Sequence, residues 1–123
     1  VMPKKTMNGF KMDLNKPHDL SSFLMKTFPE LERTCIEERW LDESDNNSFH
    51  SVWLMFGPKS SGVLSKATEK QIKRLCALIN NEVRVGGEHE NAVSTCFLEH
   101  ASQLGVRKAL KPYLSKEAQH ELS

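Results

Sequence analysis

The stretch "TEKQIKRLCALINNEVRVGG", Thr68–Gly87, decides the fold class because it carries the clearest helical pattern in the chain. Ser65 or Thr68 can cap the N-terminus of this helix, and Gly86-Gly87 can end it. Apolar side chains recur at the i, i+3, i+4, i+7 spacing that places them on one helical face. They are Ile72, Leu75, Cys76, Ile79 and Val83. We therefore predict an amphipathic helix that packs this face against a core.

The chain on the C-terminal side of this stretch is also predicted to be helical. A helix that includes residues 91–104 should end at Gly105, where glycine supplies the conformation of a helix terminus. A short turn at Val106–Leu110 should follow, and Ser115 can cap a last short helix. The apolar face of the longer helix consists of Ala92, Val93, Cys96, Phe97, Ala101 and Leu104.

Two further helices are predicted on the N-terminal side. The first starts near His18, capped by Asp19 or Ser21, and ends at Phe28-Pro29, because proline disfavours helix in the residue before it. The second runs from Pro29 to about Leu41, since proline is well tolerated as a first helical residue.

The apolar run "FHSVWLMFG", residues 49–57, is compatible with a helix or a strand. We favour a helix capped by Ser48 and ended by Gly57-Pro58, because no second convincing strand exists to pair with it. The fold class is then all-α, a single compact bundle of about five to six helices with short loops. Residues 1–16 are predicted to be a flexible N-terminal tail, and residues 17–123 the helical domain.

The size and composition fit one globular domain. The chain has 123 residues, 38% of them hydrophobic and 27% charged, which is ordinary for a folded domain of this length. No apolar run approaches the roughly 18 residues needed to cross a bilayer, so no membrane association is expected. Cys35, Cys76 and Cys96 all sit among apolar residues, which suits buried thiols and a cytoplasmic protein.

Cys96 and His100 are one helical turn apart, so they could form a nucleophile with its base or half of a metal site. A catalytic thiolate needs a partly exposed, electropositive setting, whereas Cys96 shares its predicted face with apolar residues. A metal site needs three or four ligands, and no second pair is evident. We therefore favour a core thiol, and we read His89 as part of a solvated loop.

No other motif indicates chemistry. The histidines form no HxxxH or HExxH pattern, and the glycine-rich stretches lack the phosphate-binding patterns GxGxxG and GxxxxGK. No GxSxG motif and no convincing carboxylate dyad is present. We expect no enzyme activity, no cofactor and no bound metal.

The net charge of +1 hides two oppositely charged regions. Residues 30–45 hold seven acidic residues against Arg33 and Arg39, a local net charge of −5. Residues 59–74 have a local net charge of +4 but contain no aromatic residue. Because nucleic-acid binders usually combine an overall basic charge with aromatic side chains, this pattern disfavours nucleic-acid binding. The acidic region is either a solvated helix face or a docking surface for a basic protein.

Three stretches resemble a family of small helical bacterial domains. They are "FLMKTFPELE" at residues 23–32, "ENAVSTCFLEHASQ" at residues 90–103 and "LKPYLSKEA" at residues 110–118. Members of this group look like immunity proteins of contact-dependent growth inhibition systems. The resemblance covers roughly Leu20 to Leu122 and implies a helical fold and a role that involves no chemistry.

The resemblance implies a cytoplasmic protein that binds a cognate toxin domain, in a one-to-one complex, and blocks its active site or its access to substrate. A nuclease toxin needs a basic groove for its substrate, so the acidic region would complement it, with an aromatic anchor at its centre. The predicted contact residues are Glu37, Glu38, Trp40, Asp42, Glu43 and Asp45.

Two other classes of function stay open at this point. The domain could be an adaptor that binds a host protein, with the same fold and no linked toxin. It could also bind nucleic acid through Lys66, Lys70, Lys73 and Arg74, which recur at roughly helical spacing.

Overall fold

A computed structural model of the chain describes residues 14–31 and 48–123. These residues are almost entirely helical and include no strand, so the all-α prediction is confirmed. We number the described α-helices as α1 Pro17–Thr27, α2 Phe49–Lys66, α3 Glu69–Val85, α4 Gly87–Cys96, α5 Ala101–Leu104, α6 Arg107–Leu110 and α7 Lys116–His120. Short 3-10 helices at Leu98–His100 and Lys111–Tyr113 connect the C-terminal elements. None of the described helices is both long and apolar enough to cross a membrane.

Helix α1 begins one residue earlier than the sequence pattern predicted, with Pro17 as its first residue. Asp19 contributes to its N-terminus, but as an acceptor for the backbone N–H of Lys16 at 3.1 Å rather than as the capping residue. The helix ends at Thr27, as Phe28-Pro29 predicted. Most of the second predicted helix, Pro29 to about Leu41, lies outside the described residues.

Helix α2 is longer than predicted. Ser48 caps it as expected, because its Oγ accepts the backbone N–H of Ser51 at 3.0 Å. The helix then continues through Gly57-Pro58 to Lys66, so the predicted end at Gly57-Pro58 is wrong. Pro58 lies on the exposed side of the helix, where water can hydrate the carbonyl oxygen that loses its N–H donor. Burial of Ser60, Val63 and Leu64 on the inner face holds the continuation in place.

Helix α3 follows its sequence pattern closely. Thr68 is the N-cap, its Oγ1 accepting the N–H of Gln71 at 3.2 Å, while the Gln71 side chain accepts the N–H of Thr68 at 2.8 Å. This reciprocal capping box satisfies two donors that the first helical turn leaves unpaired. Gly86 ends the helix with a φ of 77°, a left-handed value that glycine adopts at little cost. Helix α4 starts at the next residue, so the double glycine is a sharp corner rather than a loop.

The predicted helix across residues 91–104 is interrupted. Helix α4 ends at Cys96, and Phe97 takes a non-helical conformation before the 3-10 turn Leu98–His100 and the short helix α5. Gly105 terminates this segment in a left-handed conformation, as predicted. Phe97 and Leu98, the two residues that follow the end of α4, are both fully buried.

Four aromatic rings form the centre of the core. Trp53 lies 5.3 Å from Phe97 in a stacked arrangement and 6.0 Å from Phe56 in an edge-on arrangement, measured between ring centroids. Phe28 stacks on Phe56 at 6.1 Å and thereby connects the end of α1 to this group. Each such pair adds roughly 0.5–1.5 kcal/mol beyond simple burial of apolar area. The aromatic group therefore joins α1, α2 and the α4 terminus.

Replacement of Pro58 by alanine should stabilise the protein. Alanine restores a backbone N–H within α2 and removes the ring from the preceding turn, and the proline's stiffening of the unfolded chain offsets only part of that gain. We expect the free energy of unfolding, measured by urea titration, to rise by about 1–2 kcal/mol. Ser61→Ala, at another exposed position of the same helix, should change it by less than about 0.5 kcal/mol. A loss of stability in Pro58→Ala would mean that α2 requires the local geometry that proline imposes.

Candidate functional site

The residues predicted to contact a partner lie outside the described part of the chain. Residues 32–47, which we call the acidic segment, contain all six of them: Glu37, Glu38, Trp40, Asp42, Glu43 and Asp45. Both ends of this acidic segment are attached to buried residues of the core. Leu31, on one side, is 1% exposed, and Phe49, on the other, is 6% exposed. The acidic segment therefore joins the helical domain at two fixed points, the end of α1 and the start of α2.

The outer face of α2 next to this junction carries an exposed apolar side chain. Leu54 is 58% exposed, and the only comparable large apolar side chain in the described ranges is Val85 on α3. Pro58, one helical turn further along α2, is also exposed. A leucine in this position costs the domain some solubility and contributes little to its core.

A polar cluster lies between the start of α2 and the end of α4. His50 Nδ1 is 3.2 Å from Cys96 Sγ, and His50 Nε2 is 3.4 Å from the side-chain amide of Asn91. We call these three residues the thiol cluster. Cys96 packs against the core but is only partly buried, so the prediction of a core thiol is correct only in part. The fully buried position beside it is occupied by Phe97.

His100 is not the partner of Cys96. The two residues are separated by the 3-10 turn, and His100 is exposed with its Nδ1 3.3 Å from Gln103 Oε1. The four-residue spacing predicted His100 as the partner because residues 91–104 were expected to form one continuous helix. The actual partner lies 46 residues away in the chain, and no local pattern could have identified it.

Cys76 behaves as the sequence predicted. It is fully buried on α3, and its Sγ donates to the carbonyl oxygen of Leu110 at 3.6 Å. Burial raises the pKa of the Cys76 thiol to about 12, because a thiolate cannot be solvated there. This cysteine is therefore an inert structural thiol.

A second histidine is paired with a buried carboxylate. His89 Nδ1 lies 3.2 Å from both carboxylate oxygens of Glu82, and its ring packs on Phe49 with 4.3 Å between centroids. The Glu82 side chain is 1% exposed and the His89 side chain 23%. The interpretation of His89 as part of a solvated loop is therefore wrong, since helix α4 starts at the double glycine and turns the imidazole inward. Burial raises the pKa of Glu82, and the charge and hydrogen bond of His89 only partly oppose this shift.

Two residues of the basic run, which consists of Lys66, Lys70, Lys73 and Arg74, make contacts within the domain. Lys73 Nζ is 3.9 Å from Glu69 Oε2, and Arg74 Nε donates to Thr27 Oγ1 at 3.0 Å. The guanidinium of Arg74 also lies over the ring of Phe23, 4.6 Å from its centroid. A separate open cavity of about 280 Å³ near the C-terminus has mainly polar and basic walls. It is lined by Arg107, Lys111, Lys116, Gln119, His120 and Leu122.

The chemistry available to a metal or cofactor is limited in this part of the molecule. Among residues 14–31 and 48–123, no three histidine, cysteine or acidic side chains come together as metal ligands. His50 and Cys96 together provide only two potential metal ligands.

Comparison with known proteins places this domain in a family. The family model "Domain of unknown function (DUF7674)" matches residues 22–123, which is most of the chain. The chain belongs to the DUF7674 family. Neither the curated proteins nor the solved structures provide a match. The family description links these helices to no activity and no partner, so the resemblance to immunity proteins stays a prediction.

The Glu82–His89 pair should give a specific pH dependence of stability. Because the pKa of Glu82 is raised in the folded state, the unfolded chain loses this proton first as the pH rises. The stabilising contribution of Glu82 is therefore complete below the pKa of the unfolded state, near 4.5. It is lost as the pH rises through the higher pKa of the folded state. Titration of this one group changes the free energy of unfolding by at most about 1.4 kcal/mol per pH unit.

The variant Glu82→Gln isolates this effect, because glutamine keeps an oxygen for the imidazole and carries no charge. We expect the free energy of unfolding of the variant, minus that of the parent, to increase with pH above about 4.5, in urea titrations at several pH values. Glu88→Gln, at an exposed position of α4, should give a difference that does not change with pH. A difference that decreases with pH would show that the ion pair outweighs burial.

Proposed function

We propose that this domain is a toxin-neutralising immunity protein that binds one basic toxin domain, such as that of a nuclease, and blocks its active site or its access to substrate. It performs no chemistry on the toxin. Its acidic segment supplies the electrostatic attraction, through Glu37, Glu38, Asp42, Glu43 and Asp45, with Trp40 as the aromatic anchor. The complex contains one copy of each protein, in the cytoplasm of a bacterium.

The observation that carries this proposal is the concentration of acidic charge in residues 30–45, with a local net charge of −5 in a chain of net charge +1. Such a one-signed region raises the rate of encounter with an oppositely charged protein and disfavours partners of the same sign. Attachment of the segment to buried residues at Leu31 and Phe49 supports the proposal. Because both ends of the segment are held by the domain, the segment loses less conformational entropy when it binds a partner.

The exposed Leu54 gives further support. It lies on α2, whose capped start immediately follows the acidic segment. Protein interfaces combine an apolar centre with a polar or charged rim. Leu54, in the second turn of the helix that follows the acidic segment in the chain, supplies the apolar part of such an interface.

The internal contacts of the basic run favour a protein partner over nucleic acid. A phosphate-binding helix needs several free cations along one face. On α3 the carboxylate of Glu69 lies near Lys73, and Arg74 contacts Thr27 and Phe23. Arg74 therefore contributes to packing between α3 and α1, whereas Lys66 and Lys70 are exposed.

Rescue of a poisoned cell tests the proposal directly. The C-terminal domain encoded by the adjacent upstream gene would be expressed in bacteria with and without this protein, and surviving colonies would be counted. Killing that this protein reverses, and that an unrelated small helical protein does not reverse, would support the immunity role. An absence of killing, or killing that this protein does not reverse, would contradict it and favour an adaptor role.

The electrostatic part of the proposal can be tested with two matched triple variants. Glu37→Gln, Glu38→Gln and Glu43→Gln together should lower the association rate with the toxin domain about tenfold at low ionic strength, with a weaker dependence on salt. The control replaces Glu88, Glu99 and Glu117, which are exposed on other elements, and removes the same charge. Stopped-flow fluorescence would measure both rates. Equal effects of the two triples would show that only net charge matters, and that the acidic segment is not the contact surface.

A further inference from the structure

We propose that Cys96 is a nucleophilic thiol that His50 activates for exchange with low-molecular-weight disulfides. The inference rests on the thiol cluster alone and is independent of the proposed function. A nucleophile and a base within hydrogen-bond reach, with the base held by a third group, form the arrangement that activates a side chain for covalent chemistry. Cys96, His50 and Asn91 meet all three requirements, at 3.2 Å and 3.4 Å.

The two ring nitrogens of His50 have different tasks in this arrangement. Nδ1 faces the sulfur and can take the proton of the thiol, while Nε2 faces the side-chain amide of Asn91. In the structure the amide nitrogen Nδ2 of Asn91 is the atom 3.4 Å from Nε2, and a half-turn of the amide group brings Oδ1 to the same place. With Oδ1 toward the ring, Asn91 accepts the Nε2–H of both the neutral imidazole and the imidazolium, and it leaves Nδ1 as the acceptor in the neutral form.

The position of Cys96 at the end of α4 makes His50 essential for this reactivity. The carbonyl end of a helix carries partial negative charge, which disfavours a second negative charge beside it. The dipole therefore opposes ionisation of the sulfur, and the neighbouring imidazole must provide the whole of the activation. A reactive Cys96 should consequently lose its reactivity when His50 is replaced.

The exchange reaction balances without any further reagent. The sulfur of Cys96 attacks one sulfur of a disulfide RS–SR, and its proton passes to His50 Nδ1. A new sulfur–sulfur bond forms, the old one breaks, and the leaving RS⁻ takes the proton from His50 to give RSH. Cys96 is oxidised to the mixed disulfide, and one half of the reagent is reduced. Because Cys96 is only partly exposed, the site accepts small disulfides and not protein disulfides.

The experiment measures the rate at which the folded protein reacts with an aromatic disulfide that releases a coloured thiolate. Cys35→Ser removes the cysteine outside the described residues, so that Cys76 and Cys96 remain. We expect one fast phase from Cys96 and a much slower one from buried Cys76. The fast phase should exceed the rate of the same thiol in the guanidinium-unfolded protein at pH 7, and Cys96→Ser should abolish it.

Variants of the two histidines identify the base. His50→Gln should slow the fast phase at least about tenfold, and Asn91→Ala should slow it less. His100→Gln, which alters the histidine one sequence turn from Cys96, should leave it unchanged.

Two results would overturn the proposal. One is a Cys96 rate in the folded protein that is no higher than in the unfolded chain, a comparison that needs no variant at His50. The other is an unchanged rate in a His50→Gln protein whose circular dichroism spectrum and melting temperature match the parent.

Discussion

The stacking of Phe97 on Trp53 is the contact on which the rest of the described structure depends. Phe97 lies where the chain leaves helical geometry after Cys96 and turns through Leu98–His100. The aromatic group then fixes α2, the end of α4 and the end of α1 around one centre. Among the described residues Trp53 Nε1 has no hydrogen-bond partner and is buried, which costs roughly 1–3 kcal/mol.

The same contact determines which polar groups meet. Because Phe97 occupies the core, Cys96 lies at the edge of α4, where the start of α2 presents His50 to it. The adjacent residue on α2, Phe49, packs on His89, whose imidazole pairs with buried Glu82. Two consecutive residues of α2, Phe49 and His50, thus take part in two different histidine-containing clusters. Both lie next to the point where the acidic segment joins the helical domain.

Local sequence signals identified many of the helix ends. The caps at Ser48, Thr68 and Ser115 and the terminators at Gly86 and Gly105 were all predicted, since each depends on a side chain or a φ value within a few residues. The errors occurred where packing overrides local preference. Gly57-Pro58 is a stop signal that α2 passes through because Val63 and Leu64 are buried beyond it, and residues 91–104 are helical in pattern but broken at Phe97. The predicted contact residues of the acidic segment lie outside the described part of the chain, and their role stays a prediction.

The sequence by itself determined the all-α class, the amphipathic face of α3, the inert core position of Cys76 and the separation of acidic from basic charge. These properties follow from the order of residues along the chain and from the periodicity of a helix. Only the tertiary structure decided that Cys96 faces His50 and that His89 is paired with Glu82. The Cys96–His50 partners are 46 residues apart, and their meeting depends on how whole helices pack around one group of aromatic rings. Glu82 and His89 are close in sequence, but their pairing depends on the corner that the left-handed Gly86 makes between α3 and α4.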